Sequence, residues 1–128
     1  MHSAYGSGHA TIAGACGTML KALFNEEALI QSPVMPDPTD PSGQRLVAYT
    51  DTPLTVGGEI NKLVSNISQA RNIAGVHWRT DANNANVLGQ AVTYNLLRDM
   101  NELYFENLEL KMQYQDFDGN EIVVPPWP

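Results

Sequence analysis

Two short stretches of the sequence combine residue types that bind oxyanions. In the first, Ser7, Gly8 and His9 stand in "SGHA", immediately before a run with helical periodicity. A serine hydroxyl, a glycine N–H and the unpartnered N–H groups of a helix's first turn can all donate to a negatively charged ligand. Glycine also lets the backbone approach a ligand closely. This stretch therefore predicts an anion-binding helix start.

The second stretch is "ARNIAGVHWRTD", residues 70–81. Arg71 offers a planar, permanently charged guanidinium, and His77 can be a nucleophile, a metal ligand or an acid/base. Asp81 lies four residues beyond His77, so on a helix its carboxylate could orient the imidazole. On one straight helix Arg71 and His77 would point about 240° apart. We therefore expect the chain to break at Ala74–Gly75.

Each of these residues also has an ordinary structural interpretation. The triplet "SGH" alone is common at helix starts. Arg71 could pair with an acid or extend along an apolar face, and His77 beside Trp78 could be a packed, hydrogen-bonded residue. The contact between His77 and Asp81 could be only local. It is the combination at this spacing that favours a shared site.

Three predicted helices position these residues. Apolar residues recur at three- and four-residue steps over residues 9–25, about 55–72 and about 80–104. In the first helix the recurring residues are Ile12, Cys16, Met19, Leu20, Leu23 and Phe24. Residues 31–53 are rich in proline and predict a long loop, in which residues 46–49 could form a short extended piece.

The C-terminal part predicts a β-hairpin over residues 107–124. Apolar and polar residues alternate over 108–114, which is typical of a half-buried strand. Asp118–Gly119 supplies a turn and residues 122–124 supply a return strand. The expected fold is mainly α: a helical bundle with a small C-terminal β-hairpin.

Composition excludes several classes of protein. The chain has 128 residues with 14 acidic and 7 basic side chains, a net charge of -7, which argues against a nucleic-acid surface. No apolar run approaches the ~18 residues of a membrane span, and no signal peptide is expected. Cys16 is the single cysteine, so no disulfide can form within the chain, and the compartment stays open.

The pattern "SGH … R-x5-H-x3-D" resembles the shared site of vanadium-dependent haloperoxidases and type 2 phosphatidic acid phosphatases. The stretches "YGSGHATIAGACGTMLKALF" and "RNIAGVHWRTD" are most similar to the vanadium bromoperoxidases of marine algae and cyanobacteria. The resemblance is dense over residues 1–30 and 54–100. It implies the helical-bundle fold of these enzymes, with vanadate as the cofactor.

The resemblance also implies a role for each site residue. His77 would bind vanadium through a ring nitrogen, and Asp81 is included with it among the catalytic residues. The Ser7 hydroxyl, the Gly8 N–H and Arg71 would bind the oxygens of vanadate. His9 would act as the acid/base. His2, seven residues before His9, matches a histidine that in the algal enzymes lies behind the vanadate ligands.

The implied reaction is the oxidation of a halide, with bromide favoured, by hydrogen peroxide to a hypohalous-acid-type agent that halogenates an organic acceptor. A homo-oligomer is expected. An acid phosphatase with His77 as nucleophile stays open as an alternative. The phosphatase form usually has proline where this chain has Gly6 and serine where it has Ala70, which favours the haloperoxidase branch.

The family also supplies a lysine and a second arginine from a "K-x6-R-P" element before "SGH". This chain starts six residues before Ser7 and has no such element. The resemblance therefore implies that residues 1–128 correspond to the C-terminal portion of a longer helical enzyme. An inactive fragment that keeps the fold without turnover is a further alternative.

Overall fold

The computed structural model describes residues 6–103 and 112–124. The described residues form three helices and two antiparallel two-stranded sheets, β1–β2 and β3–β4. The fold is the expected one, a mainly α-helical bundle with a C-terminal hairpin. Its elements are α1 (Gly8–Leu23), β1 (Val34–Pro36), β2 (Leu46–Ala48), α2 (Val56–Ile73), α3 (Arg79–Leu103), β3 (Met112–Gln115) and β4 (Glu121–Val124).

Helices α1 and α3 run parallel. Near their starts, Ala10 of α1 packs with Ala82 and Ala85 of α3. Further along, the Thr93 hydroxyl of α3 donates to the main-chain oxygen of Ala15 at 2.9 Å. Early residues of α1 therefore contact early residues of α3, and later residues of α1 contact later residues of α3.

Helix α2 runs antiparallel to the other two. A Cβ on Gly17, in the middle of α1, would run into the Val64 side chain of α2. A Cβ on Gly57, at the start of α2, would lie 2.9 Å from Cβ of Glu26, just after α1 ends. The end of α2 therefore lies beside the starts of α1 and α3.

Glycines bring the backbones of α1 and α3 into contact. A Cβ on Gly14 would lie 2.5 Å from the main-chain oxygen of Asn86, and a Cβ on Gly89 would run into the backbone of Thr11 and Ala15. The face of α1 that packs is accordingly made of small residues and one lysine: Ala10, Ala13, Gly14, Gly17, Thr18 and Lys21.

The apolar stripe that indicates α1 in the sequence is not the face that packs on α3. Ile12 is 66% exposed and Leu23 is 63% exposed. On α3 the larger apolar residues Leu88, Val92 and Leu96 are likewise about half exposed. The physical reason is that only small side chains allow the two backbones to touch, so these larger ones lie outside the contact.

A buried ion pair fixes the hairpin to the other end of the bundle. The Lys21 side chain is buried, and its Nζ lies 3.3 Å from Glu26 Oε2 and 5.2 Å from the centre of the Phe117 ring. Glu26 Oε1 accepts the Gln115 N–H at 2.7 Å. Beside this pair the hairpin contributes most of an apolar cluster: Leu97, Met112, Tyr114 and Val124.

The proline-rich segment contains the small β1–β2 sheet, in which Val34 pairs with Ala48 and Pro36 with Leu46. Hydrogen bonds from the Thr39 hydroxyl and N–H lower the pKa of Asp37 below its ordinary value, although partial burial opposes them. Of the predicted 107–124 hairpin, residues 107–111 lie outside the described ranges, as does Tyr104. None of the helices in the described ranges is long and apolar enough to cross a membrane.

We predict that Gly89→Ala lowers the free energy of unfolding by about 1–3 kcal/mol, because the added methyl group must separate two touching backbones. Asn84→Ala, at an exposed position of the same helix, is the matched control and should change stability by less than about 0.5 kcal/mol. Urea unfolding followed by circular dichroism measures both. Equal stability of the two variants would contradict the close helix contact.

Candidate functional site

Three helix ends meet at one end of the bundle. Ser68, one turn before Arg71, donates from its hydroxyl to Asn86 Oδ1 at 2.9 Å, which joins the last part of α2 to α3. Asn86 is about 7.5 Å along α3 from Asp81 at the rise of an α-helix. Ala10, one turn after Ser7, packs on Ala82. The start of α1, the end of α2 and the start of α3 therefore lie together.

A glycine-dependent turn joins Arg71 to His77. Helix α2 ends at Ile73, and Gly75 has φ +71°, in the left-handed region that favours glycine. The Gly75 N–H donates to the Asn72 oxygen at 2.9 Å and the Val76 N–H to the Arg71 oxygen at 3.2 Å. This pair of bonds is a Schellman C-cap. It confirms the predicted break and places the two residues on different elements.

Asp81 connects the imidazole to the start of α3. The His77 side chain is 3% exposed, and its Nδ1 lies 3.6 Å from Asp81 Oδ2. That oxygen also accepts the Trp78 N–H at 3.0 Å, which caps the helix. A carboxylate in the first turn of a helix is favoured by the helix dipole. The contact to His77 is longer than a hydrogen bond and becomes an ion pair when the imidazole is protonated.

Two buried polar atoms at this end have no hydrogen-bond partner within the described structure: Ser7 Oγ and Arg71 Nε. Ser7 is completely buried and is the N-cap of α1, yet its side chain makes no capping bond. Leaving a buried polar group unpaired costs about 1–3 kcal/mol, so such atoms are few in native proteins. Here they provide an unused hydroxyl and an unused guanidinium donor.

Gly8 and His9 begin α1 immediately after Ser7. A Cβ on Gly8 would meet no atom of the described residues within 4 Å, so there is open space beside this glycine. The His9 side chain is exposed. His2 lies outside the described residues. The structure thus places Ser7, Gly8, His9, Arg71, His77 and Asp81 at the same end of the bundle.

The structure also shows a cavity of about 560 Å³ beside His77. The turn residues 75–79 and the α2 side chains of Gln69 and Asn72 line it. The Asn72 amide, turned so that its nitrogen faces the turn, donates to the main-chain oxygens of Trp78 at 3.2 Å and His77 at 3.3 Å. Trp78 is 73% exposed. The signal in the sequence for this cavity is a large aromatic residue directly after the candidate ligand His77.

Comparisons with known proteins agree on one family. A family model described as "VCPO second helical-bundle domain" matches residues 1–106. The chain is 39% identical over 125 residues to the vanadium-dependent bromoperoxidase of Corallina officinalis and 36% identical over 123 residues to that of Ascophyllum nodosum. These matches cover 96% and 94% of this chain.

A solved structure shares the fold. It is described as the homohexameric structure of the second vanadate-dependent bromoperoxidase from Ascophyllum nodosum, and it matches with a TM-score of 0.82 and 26% identity over 96% of this chain. The chain spans 20% and 21% of the length of the two curated relatives and 25% of the solved chain.

We predict that Gly75→Ala in the full-length gene product weakens binding of an oxyanion, probed with vanadate, about tenfold or more, because the strained turn shifts His77 relative to Arg71. Gly43→Ala is the matched control, since Gly43 has φ +66° in the exposed loop. Both variants should lose about 1 kcal/mol of stability from the left-handed conformation. Equilibrium dialysis with vanadate, together with thermal unfolding, measures the two effects; similar vanadate affinity in both variants would contradict a role for the turn.

Proposed function

The chain belongs to the vanadium haloperoxidase family, and we propose that its three convergent helix ends form part of the vanadate site of a bromoperoxidase. The observation that carries this proposal is the pair of buried donors, Ser7 Oγ and Arg71 Nε, which have no hydrogen-bond partner among the described residues and lie at the same end of the bundle as the buried His77 side chain. Donors that have no protein partner at a helix start are suited to an oxyanion.

The residues present fit vanadate. It is a negatively charged, oxygen-rich group, and Arg71 supplies a permanent positive charge while Ser7 and the Gly8 N–H supply neutral donors. The first-turn N–H groups of α1 add the positive end of its dipole. His77 would bind vanadium through a ring nitrogen, with Asp81 holding the imidazole in place from the other side. His77 is the proposed metal ligand, and Ser7, Gly8 and Arg71 would bind the oxygens.

The proposed overall reaction is balanced without any change in the protein: bromide, hydrogen peroxide and one proton give hypobromous acid and water. When bound, vanadate supplies a Lewis acid that activates peroxide for attack by the halide. His9, exposed at the start of α1, would deliver and accept the protons. Asp81 would keep His77 oriented throughout.

The names of the relatives support bromide as the halide, because each curated match is described as a vanadium-dependent bromoperoxidase. The solved bromoperoxidase structure from Ascophyllum nodosum is described as homohexameric, which supports the proposal that this protein is also a homo-oligomer. Hydrogen peroxide, a halide and an organic acceptor are the proposed small-molecule partners.

Replacing His77 should remove vanadate from the protein. We expect His77→Ala to weaken vanadate binding at least about a hundredfold. Loss of a residue that only orients a metal ligand costs up to about a hundredfold in affinity, and loss of the ligand itself should cost no less. His9→Ala is the matched histidine variant; it should retain vanadate but lose about 10²- to 10⁴-fold in bromide oxidation. Vanadium analysis after gel filtration, and peroxide-dependent bromination, measure the two properties in the full-length gene product.

Vanadium retained at one equivalent by His77→Ala, with bromide oxidation intact, would contradict the ligand assignment. Hydrolysis of p-nitrophenyl phosphate by the vanadate-free protein, without bromide oxidation when vanadate is added, would favour the acid phosphatase with His77 as nucleophile.

The 128-residue chain on its own should bind vanadate weakly. Charge-assisted hydrogen bonds are worth about 1.5–3 kcal/mol each, so the absence of the family's lysine and second arginine should cost about a hundredfold or more. The exposed apolar faces of α1 and α3 should also make the chain oligomeric. Ile12→Gln combined with Leu23→Gln should raise the monomer fraction, measured by light scattering. A monomeric unmodified chain with full bromide oxidation would contradict this expectation.

A further inference from the structure

The cavity beside His77 combines an aromatic wall with a positive charge. Trp78 is 73% exposed, so the face of its indole is open to a ligand. Arg79 follows it and is also exposed. Apart from His77, Arg79 is the one ionisable side chain among the described residues that line this space. Its positive charge contrasts with the net charge of -7 of the whole chain.

The walls of the cavity are held in place by the α2–α3 turn. In the amide orientation that turns its nitrogen toward this segment, Asn72 donates to the main-chain oxygens of His77 and Trp78. Asp81 accepts the Trp78 N–H. Gly75 and Val76 are fixed by the helix cap. The backbone that carries the indole is therefore bound from both sides. A volume of about 560 Å³ lies within the usual range for small-molecule sites.

From this geometry we infer that the cavity binds the organic acceptor, and that it selects aromatic carboxylates. The aromatic ring would stack on the Trp78 indole, which gives a geometry-dependent attraction. The carboxylate would pair with the Arg79 guanidinium. The inference rests on the proposed function, because an acceptor site is useful only to an enzyme that produces the brominating agent.

The position beside His77 explains the use of such a site. An acceptor held there would lie beside His77, the residue proposed to bind vanadium. In the transfer, the ring forms a carbon–bromine bond and loses a proton, which leaves with the hydroxide of hypobromous acid as water. A bound acceptor would intercept the oxidant before it diffuses away.

The test uses the full-length gene product loaded with vanadate, so that the pocket of Ser7 and Arg71 is filled. Binding of 4-hydroxybenzoate is measured by isothermal titration calorimetry, with phenol and acetate as probes of the ring alone and the charge alone. We expect Arg79→Gln to weaken 4-hydroxybenzoate about tenfold. Trp78→Ala should weaken it about threefold to tenfold, and Trp78→Phe should restore most of the affinity.

Arg98→Gln is the matched control. Arg98 is exposed on α3, where it contacts Asp99 and Glu102, and its replacement changes the net charge equally. This variant should bind 4-hydroxybenzoate as the unmodified protein does. In turnover, Arg79→Gln should raise the KM for 4-hydroxybenzoate about tenfold while the KM for bromide stays unchanged.

Bromide-dependent consumption of peroxide without any acceptor reports the proposed function separately. Absence of saturable 4-hydroxybenzoate binding, acetate binding of equal strength, or an equal loss in Arg98→Gln would overturn the inference while leaving halide oxidation untouched. Binding by a protein that does not oxidise bromide would overturn the proposed function and, with it, the acceptor role of the cavity.

Discussion

The contact between the backbones of α1 and α3 is the constraint on which the rest of the structure depends. Gly14 and Gly89 allow it, since a side chain at either position would enter the opposite backbone. Because these helices run parallel, their first turns lie at the same end of the bundle. Helix α2 runs the other way and delivers Arg71 to that end. The chemistry of the candidate site is thus a consequence of helix direction as much as of residue type.

At the convergent end, the structure leaves buried donors unpaired while pairing the groups around them. Asp81 satisfies the Trp78 N–H and faces His77, and the helix cap at Gly75 satisfies the last carbonyls of α2. Ser7 Oγ and Arg71 Nε remain without hydrogen-bond partners among the described residues. An unpaired buried donor destabilises the fold, and a bound oxyanion would compensate for that cost. This is the physical connection between the local stability of the bundle end and the proposed binding of vanadate.

The opposite end of the bundle is organised around a buried charge. There too, two buried polar atoms, Thr18 Oγ1 and Lys21 Nζ, have no hydrogen-bond partner among the described residues. Lys21, buried against the Phe117 ring, pairs with Glu26, which also accepts a hydrogen bond from the hairpin. Removing one partner of a buried pair leaves an uncompensated charge, which destabilises the fold. Because Glu26 also binds the hairpin, this pair connects the stability of the hairpin to that of the end of α1. Ile12 and Leu23 of α1 and Leu88, Val92 and Leu96 of α3 are about half exposed or more, on a chain that spans about a fifth of the length of its curated relatives.

By itself the sequence determined the three helices, the break at Gly75 and the residue types of the site, because periodicity, glycine and the spacing of Arg71, His77 and Asp81 are local properties. It also carried the family resemblance through "SGHA" and "RNIAGVHWRTD". Only the tertiary structure decided which face of α1 packs: the apolar stripe containing Ile12 lies outside, since close backbone approach admits only small residues. It also decided that Ser7 Oγ and Arg71 Nε find no hydrogen-bond partner in the described part of the chain and that Trp78 borders a cavity. These features depend on which helices meet and in which direction they run, and residue spacing within one segment carries no information about either.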